Sequence, residues 1–144
     1  MIAVDTNILV YAHRAESEWF PAASAIVKQL AESGEPWAIP WPCVPEFLAV
    51  VTHPRIYQPP TPLPNAMEQV AIWLESPSLR LIGEMRGHWK ELQAIALAGK
   101  TRGGAIHDAR IVAICREHGV RELLSADRDF GRLGGLTVKN PLVK

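Results

Sequence analysis

The chain predicts an α/β fold with a mainly parallel sheet covered by helices on both faces. Short apolar runs alternate along the chain with longer segments of helical period, the order that builds parallel sheets from crossover units. Two of those runs, residues 1–4 and 123–126, end in an acid, Asp5 and Asp127. With 144 residues, 48% hydrophobic and 21% charged, there is material for one core, so a single domain over residues 1–144 is expected.

The first strand is residues 1–4, and its apolar run breaks at Asp5. A short helix over 6–14 comes next, then a second over 19–33 with Pro21 in its first turn and Gly34 as its stop. Residues 37–40 form a short strand candidate, and 42–51 read as a helix whose prolines belong to its first turn. The segment 54–64 carries Pro59, Pro60 and Pro62 and reads as a semi-rigid surface connector. Met67, Val70, Ala71 and Leu74 recur at helical spacing up to a stop at Pro77. Residues 79–82 alternate as an edge strand would. A helix over 89–98 and a loop over 99–104 lead into a helix over 105–118, where Ile106, Ala109, Val112 and Ala113 are expected on the buried face and Gly119 caps the end. Strands at 122–125 and 136–138 complete the series.

Composition narrows the function classes. A formal net charge of +0 argues against a strongly basic nucleic-acid coat, although it leaves room for a local patch. Cys43 and Cys115 lack CxxC spacing and read as reduced packing residues. No apolar run approaches the roughly 18 residues a membrane span needs, and the first run meets a charge at Asp5, too early for a signal-peptide core. A cytoplasmic, non-exported protein is therefore expected.

The chemistry rests with Asp5, Glu46, Asp108, Asp127 and Asp129, which stand where helices or strands begin or end. An acid at the carboxyl end of a strand lies at the crevice where open α/β sheets bind ligands. Carboxylates gathered about 5 Å apart repel by roughly 3 kcal/mol per pair at an effective dielectric near 20, so a cation must offset them. Oxygen ligands without a histidine or cysteine set favour Mg²⁺ or Mn²⁺ over Zn²⁺. His107 alone does not make a zinc site. A hard cation in such a pocket suits phosphodiester hydrolysis.

Taken singly, each acid has an ordinary explanation. Asp5 fits a helix N-cap, Glu46 and Asp108 fit the first turns of their helices, and Asp127 or Asp129 fits a capped turn around Arg128. The set shifts the balance. Asn7 and Ser125 stand beside two of the acids, where they can orient carboxylates or cap backbone amides. Lys100 and Arg102 suit either a phosphate backbone or a solvated loop, and Arg110, Arg116, Arg128 and Arg132 extend a candidate basic rim. Trp19, Trp37, Trp41, Trp73 and Trp89 are spread through apolar segments, which predicts core packing for most of them.

Four segments in order, Asp5-Thr6-Asn7-Ile8-Leu9-Val10-Tyr11-Ala12, Pro45-Glu46-Phe47-Leu48, His107-Asp108-Ala109-Arg110 and Ala126-Asp127-Arg128-Asp129-Phe130, resemble the PIN-domain ribonucleases, specifically VapC-type toxins of bacterial toxin-antitoxin pairs. The resemblance spans essentially the whole chain. It implies a three-layer α/β/α sandwich with a central parallel sheet and an acidic pocket at the strand carboxyl ends. Asp5, Glu46 and Asp108 match the family's first three acids, Asp127 matches the fourth, and Asp129 is an additional candidate. It further implies RNA cleavage with Mg²⁺ or Mn²⁺, a cognate VapB-type antitoxin as inhibitor, and a homodimer. Ser125 replaces the threonine frequent in the family and keeps the hydroxyl.

On this reading Asp5 and Asp108 hold the main metal while Glu46 and Asp127 complete its surroundings. Two rivals share parts of the pattern. A phosphatase of the haloacid dehalogenase type also starts from a strand-end aspartate but needs a second aspartate where this chain has Asn7. A non-catalytic RNA- or protein-binding module on the same fold would lack stabilisation by divalent metal.

Overall fold

In the computed structural model, which describes residues 1–143, the elements run β1 (Ile2–Val4), α1 (Thr6–His13), α2 (Phe20–Glu32), β2 (Trp37–Pro40), α3 (Cys43–Val51), α4 (Leu63–Leu74), β3 (Leu79–Ile82), α5 (His88–Ala98), α6 (Ala105–Glu117), β4 (Glu122–Leu124), a 3-10 turn (Arg128–Arg132) and β5 (Thr137–Lys139). The five strands form one sheet in the order β3-β2-β1-β4-β5, with every neighbouring pair parallel. The register pairs Ala3 with Ala38 on one side and with Leu123 on the other.

This order dictates the layers. From β1 to β2 and from β2 to β3 the chain moves toward one edge, and from β3 to β4 it returns past β1. Right-handed crossovers then place α1 to α4 on one face and α5 with α6 on the other. The packing agrees: α1 lies on α2 and α3, α3 lies on α4, and α5 lies on α6. The result is a three-layer α/β/α sandwich.

The central strands are buried on both faces and carry continuous apolar side chains, as parallel strands do. Trp37, Ala38, Ala3, Val4 and Leu123 are completely inaccessible to solvent. The edge strands β3 and β5 are more exposed, β5 most of all. One contiguous cluster joins the strand residues to Ile8 and Leu9 of α1, Phe47 of α3 and Ile114 of α6. Phe47 meets Trp73 of α4 and His13 of α1 edge-on, at centroid distances of 4.9 and 5.4 Å. Gly119 ends α6 with φ +70, a backbone conformation in which a Cβ would be strained.

Some expectations needed correction. Helix α4 starts at Leu63, inside the stretch read as connector, with Pro64 in its first turn, where the missing N–H costs nothing. Ile106 is 37% exposed while Ala109, Val112 and Ala113 are buried. The first turn of α6 overhangs surface cavities instead of the sheet, because Ala105, His107 and Asp108 all line them. Of the tryptophans only Trp37 and Trp73 are in the core, whereas Trp41 and Trp89 are 50% and 68% exposed, so packing does not account for most of them. Strand β5 lies one residue later than expected.

Candidate metal centre

Strand order places the crevice. The chain leaves β1 toward β2, and β4 lies on the other side of β1, so the topological switch point is at the carboxyl ends of β1 and β4. Asp5 comes directly after β1 there, and Ser125, Ala126 and Asp127 come directly after β4. Helices α1 and α3 start at this edge because each succeeds a strand, and α6 starts there because it runs back to enter β4. Glu46 and Asp108 sit in the first turns of α3 and α6, where the positive ends of the helix dipoles face the crevice.

All of this opens on one cavity of about 490 Å³. Asp5, Glu46, Asp108 and Asp127 line it, together with Thr6, Asn7 and His107. Asp129 lines an adjoining groove that shares Asp108, and carboxylate oxygens of Asp108, Asp127 and Asp129 lie within 4.8 Å of one another. Among the described residues this is the group of three acids whose oxygens gather that closely, while Asp5 and Glu46 face Asp108 across the same cavity.

Asp5 is the most buried of the five, 7% exposed. Its carboxylate does not cap α1. Instead Oδ2 accepts a hydrogen bond from Ser125 Oγ at 2.8 Å, and Oδ1 accepts one from Cys43 Sγ at 3.6 Å. Ser125 Oγ in turn accepts from Asn7 Nδ2 at 3.2 Å and from the backbone N–H of Asp127 at 3.0 Å. Asn7 Oδ1 accepts from the N–H of Ala126 at 3.0 Å. Asn7 and Ser125 therefore stitch the end of β4 to the start of α1 and orient Asp5. Cys43 is buried as expected, but it has this polar role as well as packing. Asp127 does cap its turn, accepting from Asp129 N–H at 2.8 Å, while its carboxylate also faces the cavity.

The electrostatics record the crowding. Asp108 is pushed up to about 6 by burial and by the negative charges of Asp127, Asp5, Asp129 and Glu46. Burial also raises Asp5, against its hydrogen bond from Ser125, and it raises Glu46 with help from the charge on Asp5. For Asp5, Glu46 and Asp108, burial and the neighbouring negative charges act in the same direction. Thr6 Oγ1 lies buried beside Cys43 and Glu46 yet completes a hydrogen bond with neither. A divalent cation fits this donor set, since clustered carboxylates and an unpaired hydroxyl are hard oxygen ligands.

The basic residues separate into two groups. Arg110 pairs with Glu84 at 2.5 Å, and Arg116 pairs with Glu91 at 2.6 Å. Arg116 also packs against Gly135, so it is taken up by structure and leaves the expected rim. Lys100, Arg102 and Arg132 line a second groove that shares Asp108 and Asp129 with the acidic centre. Tyr11 and Tyr57, which the sequence pattern did not single out, line the acidic cavity itself. Tyr57 lies in the proline-rich connector, and an aromatic residue amid prolines was the only available signal.

Comparison with known proteins bears on what such a centre does. The sequence is 33% identical over 138 residues to "Ribonuclease VapC48" of Mycobacterium tuberculosis, covering 95% of this chain and 94% of that one. It is 32% identical over 142 residues to "Ribonuclease VapC43" of the same organism, covering 99% and 96%. Among solved structures, VapBC2 from Rickettsia felis bound to a promoter DNA fragment superposes with a TM-score of 0.69 at 19% identity, covering 97% of this chain and 98% of that chain. VapC20 of Mycobacterium tuberculosis, described as a Sarcin-Ricin loop cleaving toxin, gives 0.68 at 17% identity, covering 93% and 95%. Both show the fold. Residues 2–136 match the PIN domain, and with the two relatives aligned over almost their full length, the chain belongs to the PIN domain family and groups with its VapC ribonucleases.

Proposed function

We propose that this chain is a Mg²⁺-dependent endoribonuclease, with Mn²⁺ able to substitute, acting as the toxin of a toxin-antitoxin pair. The observation that carries the reading is the convergence of acids from four separate segments on one crevice, with Asp108 raised by burial and by the charge of the other four. The names of the relatives support RNA as substrate, and the toxin-antitoxin complexes among the solved neighbours support a VapB-type antitoxin as partner. A homodimer completes the reading.

In this reading Asp5, Glu46, Asp108, Asp127 and Asp129 would hold the cation. When bound, it supplies positive charge beside a phosphoryl oxygen and makes a nearby water more acidic. Ser125 and Asn7 keep Asp5 aimed into the cavity, and Cys43 holds its second oxygen. Burial and the surrounding negative charge make Asp108 the acid that a bound cation would relieve most, which suits it to hold one. Lys100, Arg102 and Arg132 offer cations to the flanking phosphates.

Replacing Asp5 by Asn is expected to lower RNA cleavage at least about 100-fold with unchanged circular dichroism, by removing a charge that cation binding requires. Chelator-insensitive cleavage by the purified Asp5→Asn variant would reject the mechanism.

A further inference from the structure

The acidic cavity is lined by two unlike sets of residues. One is the carboxylates, and the other is Tyr57, Tyr11, Val10, Val50 and Ile111. A site for a cation or a bare phosphate needs only the first. Apolar and aromatic residues sharing a cavity with phosphate-handling carboxylates match a ligand that is charged in one part and flat and weakly polar in another.

We propose that this second set forms a nucleobase subsite, in which the Tyr57 ring, with Tyr11 lining the same cavity, stacks on a base flanking the phosphate to be cleaved. Tyr57 is held for this purpose from outside the cavity. The Arg14 guanidinium lies 4.3 Å from the ring centroid, a cation–π contact that fixes the ring's plane. Arg14 is in turn anchored by Glu16, by Thr61 Oγ1 at 3.0 Å and by the Pro59 carbonyl at 3.0 Å. His13 Nε2 reaches the same Thr61 hydroxyl at 3.1 Å. The connector is thus pinned to the end of α1 through Thr61 and Pro59 as well as through the ring face that Arg14 covers. The rest of the ring furnishes the cavity wall, on a segment whose prolines limit its freedom. At about 490 Å³ the cavity has room for a nucleotide. Stacking tolerates any base because every base has a π-face, so Tyr57 contributes grip and position more than sequence choice.

This subsite rests on the ribonuclease reading of the carboxylates, and binding separates the two. The probe is a short, mixed-sequence, fluorescein-labelled single-stranded RNA, titrated by anisotropy in Ca²⁺. It is compared with an oligomer of the same length that carries abasic riboses. Tyr57→Phe is expected to bind RNA as the wild type does, whereas Tyr57→Ala and Tyr57→Leu weaken binding about tenfold, the loss expected for one stacked base. On the abasic oligomer all four proteins should bind alike. Wild-type affinity in Tyr57→Leu, an equal loss on abasic RNA, or no RNA binding by the wild type would each overturn the subsite. If the wild type binds RNA but does not cleave it in Mg²⁺ or Mn²⁺, the ribonuclease reading fails and the same titrations still decide the subsite.

Discussion

Ser125 shows how much one hydroxyl can carry. It is 1% exposed, donates to Asp5 and accepts from Asn7 and from the backbone of Asp127, so it joins β4, α1 and the acidic turn. Ser125→Ala leaves Asp5 with Cys43 alone, and catalytic turnover is expected to fall about 10-fold, as when a group orienting a metal ligand is lost. Ser125→Thr keeps the hydroxyl and should restore turnover, as measured by steady-state cleavage assays of both variants. Asp108 makes a pH-dependent case. A carboxyl raised on folding binds its proton more tightly in the folded chain than in the unfolded one. The folded state is therefore penalised progressively as pH climbs from about 4 through about 6, and fully above that. In EDTA, Asp108→Asn should melt above the wild type at about pH 7.5, with the gap narrowing below about pH 6 and closing near pH 4. A gap independent of pH would show that burial and crowding of this carboxylate are not its cause.

At the level of elements, the centre depends on three helices starting at one sheet edge. Phe47 of α3 is completely buried against Trp73 and His13, one residue after Glu46. Phe47→Ala removes the ring that seats α3 on α1 and α4, at a cost of about 3–5 kcal/mol in urea denaturation. Because Glu46 rides on the same turn, cleavage should fall even where the variant remains folded. These helices are legible in the sequence to within about two residues, because their apolar periods and their glycine and proline boundaries are local signals. The start of α4 and the exposure of Ile106 are not. Pro64 serves as a breaker or as a first-turn residue depending on the residues after it, and exposure along α6 depends on which neighbours cover each turn.

For the whole molecule, the acidic centre sets repulsion against the packed core until a cation arrives. Millimolar Mn²⁺ should raise the melting temperature, by about 5 °C if it reaches ten times its Kd, a gain of about 1.4 kcal/mol. Calorimetry with excess EDTA should abolish the shift. Absence of any shift in the wild type would favour a binding module over an enzyme. Two features here are global, since both the switch point and the side of the sheet on which each helix lies are set by strand order.

By itself the sequence determined the alternation of strands and helices, and which acids stand at their ends, because hydrophobic period and turn chemistry act over a few neighbouring residues. The four family segments, read in order, also named those acids as a set. Tertiary structure alone decided that Asp108, Asp127 and Asp129 gather within 4.8 Å of one another, that Asp5 is held by Ser125 and Cys43, and that Tyr57 reaches the same cavity as Asp108. Asp5 and Ser125 are 120 residues apart along the chain, and only the parallel pairing of β1 with β4 carries them to hydrogen-bond distance. Such contacts leave no periodic trace because they depend on strand order, a property of the whole chain rather than of any stretch of it.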